Sequence, residues 1–263
     1  MGGWAALVFV LIAALETWRQ RSATGQTAER WMTNLALFVL EQVINLAWVA
    51  GLGVLATSVA GPSPLAGWSS GWQGWAGFAF AMIVLDATAY FSHVLSHHVQ
   101  PLWRLHSVHH ADRVLDVTTT IRHHPLEVLP TAMAFSVCTW LFDLSLAHVA
   151  AYAALSFVTQ ALAHADLGLS PHLMRGAGLV LVTPDLHALH HSRNAKETNS
   201  NYGQMLSIWD RMFGTMAPPR SGPVAVGLDA YASARFRGLP GALAQPFRQP
   251  DAAAGAGSSP PKQ

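Results

Sequence analysis

Residues 128–165 form an apolar run that lies between two copies of one histidine pattern. Upstream stand His106, His109 and His110, and downstream stand His187, His190 and His191; both read His-x-x-His-His. At about 1.5 Å of rise per residue, a straight helix over this run is roughly twice as long as the ~30 Å core of a bilayer. A single crossing would leave the two histidine groups on opposite sides of a membrane. A helical hairpin, turning near Asp143 and Ser145, returns the second group to the side of the first. The whole fold expectation hangs on that turn.

The membrane itself is argued from composition. Hydrophobic residues make up 51% of the 263 positions and charged residues only 11%, against about a quarter charged in ordinary soluble domains. Ten Trp residues suit the headgroup level. A net charge of +1 provides no basic field for nucleic acid, so no nucleic-acid partner is expected. The single cysteine, Cys138, lies in an apolar run, has no partner for an intrachain disulfide and reads as a small core or lipid-facing residue. Metal chemistry therefore falls to histidine.

Along the chain, residues 2–16 read as a retained first helix with its amino end outside. Arg19 and Arg21 follow the apolar run rather than precede it, unlike a signal peptide. A polar linker to Arg30 leads into an apolar helix over residues 31–60, interrupted by Asn34, Glu41 and Asn45, which should face other helices; Glu41 reads as a buried structural partner. Residues 61–77, rich in Gly, Pro and Trp, form an interfacial loop. Residues 78–95 return to the first side, residues 100–127 are polar, and the hairpin follows. Residues 203–219, with Trp209, Phe213 and Met216, are amphipathic and pack on the site. From about residue 249 the composition is that of a disordered tail. The division expected is residues 1–30 as first helix and linker, 31–219 as membrane and catalytic domain, and 220–263 as extension. The fold class is all-α: an integral membrane bundle of about four to five membrane helices, one hairpin included, with a helical cap on the cytoplasmic face carrying the histidines. The arginines after the first helix assign that face.

Eight of the 14 histidines lie in residues 86–124. Asp86, Tyr90, His93 and His97 stand at i, i+4, i+7 and i+11, one stripe of a helix. His93 and His97 can reach one ion or adjacent ions, and Asp86 and Tyr90 are placed to orient a ligand through its second ring nitrogen. His98 is off the stripe. Each His-x-x-His-His triad projects three imidazoles from one helical turn, so the pair can hold two ions from opposite sides. One such triad is a weak signal; two with a His-x-x-x-His on one face are a strong one. Histidines in apolar settings are more often hydrogen-bonded core residues, which suits His148 and His172. Three clusters of imidazole gain little from burial unless a cation binds them. Imidazole alone suits Zn, Cu, Fe or Ni.

These motifs, with Asp86-x-x-x-Tyr90, Leu102-Trp103-Arg104, Arg122-His123-His124-Pro125-Leu126-Glu127, Asn201-Tyr202-Gly203 and Trp209-Asp210, resemble the fatty acid hydroxylase and sterol desaturase superfamily of integral-membrane non-haem di-iron enzymes. The resemblance covers roughly residues 30–215. It implies two iron ions, O2 as co-substrate, a lipid substrate, and hydroxylation or desaturation of a C–H bond. The ligand set it implies is His93, His97, His106, His109, His110, His164, His187, His190 and His191, with His124 as a further member. Asp86, Tyr90, His98, His123, Asn201 and Asp210 are expected behind the ligands. Some members carry a second histidine four residues after the position of His164; here Asp166 and Leu167 follow instead. No haem module, flavin motif or cysteine cluster is evident, so electrons are expected from a separate reductase. Arg104, Arg113 and Arg122 lie among the ligands and can hold an acidic lipid headgroup.

Two other classes compete. A zinc-dependent membrane hydrolase usually carries His-Glu-x-x-His, and no Glu stands in that place here. A non-enzymatic membrane metal carrier wants ligands spread along a transmembrane path, whereas these gather on one face.

Overall fold

A computed structural model describes residues 3–19, 28–55, 61–66, 74–219 and 222–251. Most of the expected linker, part of the 61–77 loop and most of the expected tail lie outside these residues. The described residues are helical, with isolated bridges and no strand among them.

Five apolar helices build the bundle: α1 (Gly3–Arg19), α2 (Ala28–Leu55), α3 (Gly74–His98), α5 (Val128–Leu141) and α6 (Leu146–His164). Three carry stretches long and apolar enough to cross a membrane: Ala28–Gly51, Gly74–His98 and Leu146–His164. Leu7, Leu11, Val43, Leu46, Ile83 and Val137 are exposed on these helices, as lipid-facing side chains would be. Trp18 and Trp75 are exposed at the carboxyl end of α1 and the amino end of α3, where a headgroup layer suits them.

The hairpin forms. After α5, Asp143 adopts φ 52°, Asp143 N–H donates to Trp140 O at 3.3 Å and Leu144 N–H to Thr139 O at 2.9 Å. This is a Schellman ending with Asp in the left-handed position usually held by Gly, one of the few other residues that visits it. Ser145 then caps α6 by accepting from His148 N–H. The first arm is 14 residues, about 21 Å, shorter than a full crossing. The chain enters it through a 3-10 turn, Pro125–Glu127, so the hairpin's arms are unequal.

α4 (Gln100–His110) follows α3 after a single extended residue, Val99, with a proline in its first turn, where a missing N–H costs nothing. The polar segment after α4 is pinned to α2. Arg30 donates to Asp112 (2.7 Å) and Asp116 (2.6 Å), and Arg122 donates to Asn34 Oδ1 at 2.9 Å. Glu16 of α1 accepts from the N–H of Val117 and of Asp166, tying the first helix to the end of α6. Shorter helices follow the hairpin: α7 (Pro171–Ala177), α8 (Pro184–His190), α9 (Ala195–Thr198), α10 (Ile208–Phe213) and α11 (Gly238–Ala244). The carboxyl-terminal residues also join this body. Ala242 of α11 packs with Leu37 and Val108, and Gln245, just past it, donates to Ser107 Oγ. Asp251, past the residue at which the tail was expected to begin, pairs with Arg235 at 2.6 Å.

Candidate metal centre

Four elements bring nine histidines together at one end of the bundle. α3 supplies His93 and His97, α4 supplies His106, His109 and His110, and α6 ends on His164. The short helix α8 (Pro184–His190) and its cap supply His187, His190 and His191. All nine are buried, none more than 6% exposed. They divide into two groups, His93, His97, His106, His110 and His190 in one and His109, His164, His187 and His191 in the other. Within each group, one ring nitrogen per residue lies within 4.8 Å of all the rest.

Each triad is split between the groups. Members i and i+4 join one group and member i+3 joins the other: His106 and His110 against His109, His187 and His191 against His190. On a helix, i+3 falls about 60° to one side of i and i+4 about 40° to the other, so one turn faces two centres. The rings of His110 and His191 stack at 4.5 Å across the boundary.

For five of the nine, the ring nitrogen facing away from the group settles the tautomer. Nδ1 of His93, His109, His164 and His190 lies 2.7–3.2 Å from the carbonyls of Tyr202, Arg122, Gln160 and Ser200. A carbonyl only accepts, so each Nδ1 carries the proton and each Nε2 is a lone pair. His106 Nδ1 reaches Glu127 Oε1 at 2.6 Å. The Nε2 atoms then converge on one another: His93–His106 and His106–His110 at 3.1 Å, His164–His187 at 2.9 Å, His187–His191 at 3.2 Å and His109–His164 at 3.3 Å. His97 Nε2 and His190 Nε2 are buried with no partner. Facing lone pairs repel unless a cation lies between them. Nitrogens about 2.1 Å from a common ion sit roughly 3.0–3.4 Å apart when adjacent around it, close to the spacings seen. The donor set therefore fits two metal ions.

The electrostatics agree. Burial pushes His109, His110, His187 and His191 well below the usual imidazole range, and His190 down to about 3. They are neutral donors, as metal ligation requires. His123 is the contrast. Burial opposes its charge, but Glu127, 3.1 Å away, raises it to about 9.

A cavity of about 250 Å³ has His93 and His106 in its wall and lies among α2, α3, α4, α5 and α6. Residues 78–215, which hold all nine histidines and most of that wall, match the profile of the fatty acid hydroxylase family. The chain belongs to the fatty acid hydroxylase family. Relatives include an ornithine lipid hydroxylase of Rhizobium tropici, 29% identical over 68% of this chain and 53% of that protein. An alkylglycerol monooxygenase of Danio rerio is 32% identical over 61% of this chain and 34% of that protein. A Delta(7)-sterol 5(6)-desaturase of Gibberella zeae is 25% identical over 56% of this chain and 40% of that protein. The chain thus spans about half or less of the length of these curated relatives. No solved structure matches it significantly.

Several residues of this hydroxylase-family chain stand differently from the sequence expectation. His124 joins neither group: its Nδ1 accepts from Leu126 N–H, and Nε2 lies 3.3 Å from Leu243 O. Asp86 and Tyr90 touch no ligand ring nitrogen. Asp86 accepts from Tyr152 Oη, Trp209 Nε1 and the N–H of Met205 and Leu206. Tyr90 bonds Thr215 at 2.8 Å. Both instead fasten the 202–215 segment. Asp210 does the same from inside that segment, accepting from the N–H of Tyr202 and Gly203 and so fixing the carbonyl that faces His93. Asn201, at φ 53°, donates to Leu186 O and Ala217 O. His98 Nε2 lies 3.1 Å from Tyr202 Oη. Arg122 is no headgroup ligand. It is buried, and its guanidinium is spent on Val108 O and Asn34. Arg113 stands 3.6 Å from Asp229, and Arg104 donates to Arg248 O. The residue missed outright is Glu127. Its signal was present, four residues after His123 and in the motif already quoted.

Proposed function

We propose that this chain is a membrane-bound di-iron oxygenase that hydroxylates or desaturates a C–H bond of a lipid. Hydroxylation would consume O2, two electrons and two protons and yield the alcohol and water. The observation that carries the reading is the convergence of nine buried imidazoles into two groups, five of them with the inward nitrogen freed of its proton by a carbonyl or carboxylate behind the ring. A group of five nitrogens exceeds the four that zinc prefers in closed sites, which favours iron. Bound there, iron would activate O2 for attack on an otherwise inert C–H bond. His93, His97, His106, His110 and His190 would hold one ion, and His109, His164, His187 and His191 the other. Tyr202, Ser200, Gln160 and Arg122 orient rings through their carbonyls, and Glu127 orients His106 through its carboxylate. The cavity beside His93 and His106 would receive the lipid segment and keep water from it. The names of the relatives support a lipid substrate, of hydroxylase or desaturase type.

The site is read as facing the cytoplasm in an inner or cytoplasmic membrane, on the positive-inside argument, and electrons as coming from a separate reductase. The division into a first helix, a catalytic body and a carboxyl-terminal extension is retained, with the extension docked on α2 and α4. Metal analysis of purified protein, with lipidomics of cells carrying the active chain or His190→Ala, tests the proposal. Two irons per chain and a product gaining one oxygen or losing two hydrogens, both lost in His190→Ala, are expected. Zinc without oxygen consumption would point to the hydrolase or carrier classes and overturn it. Tags near residues 110 and 190 that label from opposite sides of the membrane would remove the shared site.

A further inference from the structure

The cavity beside the candidate metal centre is not a plain hydrocarbon sleeve. Glu41, Ser92, Ser96, Thr131, Ser156 and Gln204 all contribute to its wall. Several of these groups are already used. Ser96 donates to Ser92 O in its own helix, and the Gln204 side chain stands against His93 Nδ1, where its amide oxygen can share the ring proton with Tyr202 O. Glu127, also in the wall, accepts from His106 and His123 through Oε1.

Two carboxylate groups remain underused. Glu127 Oε2 is buried and has no hydrogen-bond partner. Glu41 is half-buried in the middle of α2, an apolar helix of membrane-crossing length, and accepts no hydrogen bond from any described residue. An ionisable side chain at that depth is expensive and needs a partner. Glu41 faces the cavity, and the charge of His123 attracts it there without a hydrogen bond. Among the described residues, the only basic side chain in the wall other than the metal-group histidines is His123, which Glu127 already engages. The wall therefore offers acceptors and lacks a free cation.

We infer that Glu41, together with Glu127 Oε2, receives a hydrogen-bond donor of the lipid, a hydroxyl or an ammonium, carried near the carbon to be oxidised. A compact space of about 250 Å³ is smaller than the roughly 300–1,000 Å³ pockets that enclose a whole small ligand, so it takes only a segment of a lipid. Glu41, Glu127, His93 and His106 share one cavity wall, so a donor held by the first two occupies the same space as the carbon facing the last two. Glu127, ion-paired with His123 and with Oε2 unpartnered, disfavours a lipid with its own carboxylate at that position. Glu41 is thus a specificity-determining residue. The inference rests on the proposed lipid oxygenase reading and narrows its substrate to polar, donor-bearing lipids over free fatty acids.

The test uses the full chain in detergent micelles or vesicles with a monohexadecylglycerol ether, its di-O-methyl twin, hexadecylamine and palmitate. Binding is followed by native mass spectrometry and turnover by product analysis, in wild type, Glu41→Gln and Glu41→Leu. Wild type should prefer the free glycerol ether, the amine, or both over the di-O-methyl twin and palmitate by about tenfold or more, the size of one charge-assisted hydrogen bond. The donor lipid that leads tells hydroxyl from ammonium. In Glu41→Leu the preference should collapse through KM, with metal content unchanged, and Glu41→Gln should keep part of it. If Glu41→Leu fails to fold, Glu41→Gln alone must still lower the preference. An unchanged preference in a folded Glu41 variant overturns the inference, and so does a wild type that favours palmitate or the methylated twin. Selective binding that depends on Glu41 but leads to no oxidised product would uphold the inference while refuting the oxygenase reading.

Discussion

Glu127→Gln separates a ligand's orientation from its presence. Glu127 Oε1 stands 2.6 Å from His106 Nδ1 and 3.1 Å from His123 Nδ1, and it is the only carboxylate bonded to any of the nine grouped histidines among the described residues. Hydrogen bonds to charged groups contribute about 1.5–3 kcal/mol and neutral ones about 1. A glutamine oxygen can still accept from one ring but has no charge to offer either, so the substitution should cost about 2–3 kcal/mol in total. The part that reaches the metal is the weakened hold on His106, for which losing a partner behind a ligand typically costs about 10–100-fold in affinity. Competition with a chelator, followed by metal analysis, reads this directly. The group containing His106 should release its ion first while the protein stays folded. His123, raised to about 9 by Glu127, should return toward lower values, visible in its ring proton shifts. Glu127→Asp should restore part of the affinity. Chelator resistance within twofold of wild type in a folded Glu127→Gln protein would refute the orienting role.

Three other outcomes are expected. Gly203→Ala would place a Cβ 2.7 Å from Leu206 O and 2.9 Å from Val182 Cγ2, costing about 1–3 kcal/mol of overpacking and shifting the Tyr202 carbonyl behind His93; the thermal midpoint and metal content should fall together. Arg30→Ala would strand the buried carboxylates of Asp112 and Asp116 at a cost of about 3–5 kcal/mol, measured as loss of folded protein in detergent. Acid should weaken the metal-free protein, because His190 is held by burial at about 3 against an ordinary 6.5. Between those values the unfolded chain binds the extra proton, so stability present above pH 6.5 is lost progressively down to about pH 3; a flat thermal midpoint across that window would contradict the buried neutral imidazole.

The histidines were legible because their chemistry is local. Spacing at i, i+3 and i+4 already fixes which rings share a turn, and the hairpin followed from length and from Asp143 and Ser145. The partners behind the ligands were not legible. Those of His93, His164 and His190 are the carbonyls of Tyr202, Gln160 and Ser200, and a carbonyl has no residue identity to read. Asp86 and Tyr90 were placed on the correct stripe, but helical periodicity says nothing about what lies opposite, and the opposing segment proved to be residues 202–215. Arg122 looked like an interfacial cation because its neighbours are polar; its burial depends on Asn34, far away in sequence. Glu41 could be placed inside the bundle but not beside a cavity whose other walls come from α3, α4, α5 and α6.

The division of each triad between two groups bears on how the centre is assembled. His109 and His110 are neighbours on one turn, as are His190 and His191, yet each pair serves both groups. A chain holding a single ion would have α4 and α8 fixed on one side while unpaired nitrogens still repelled one another on the other. Half-filled protein is then a poor resting state. Loading should be cooperative, with the second ion bound more tightly than the first and few singly loaded molecules at equilibrium.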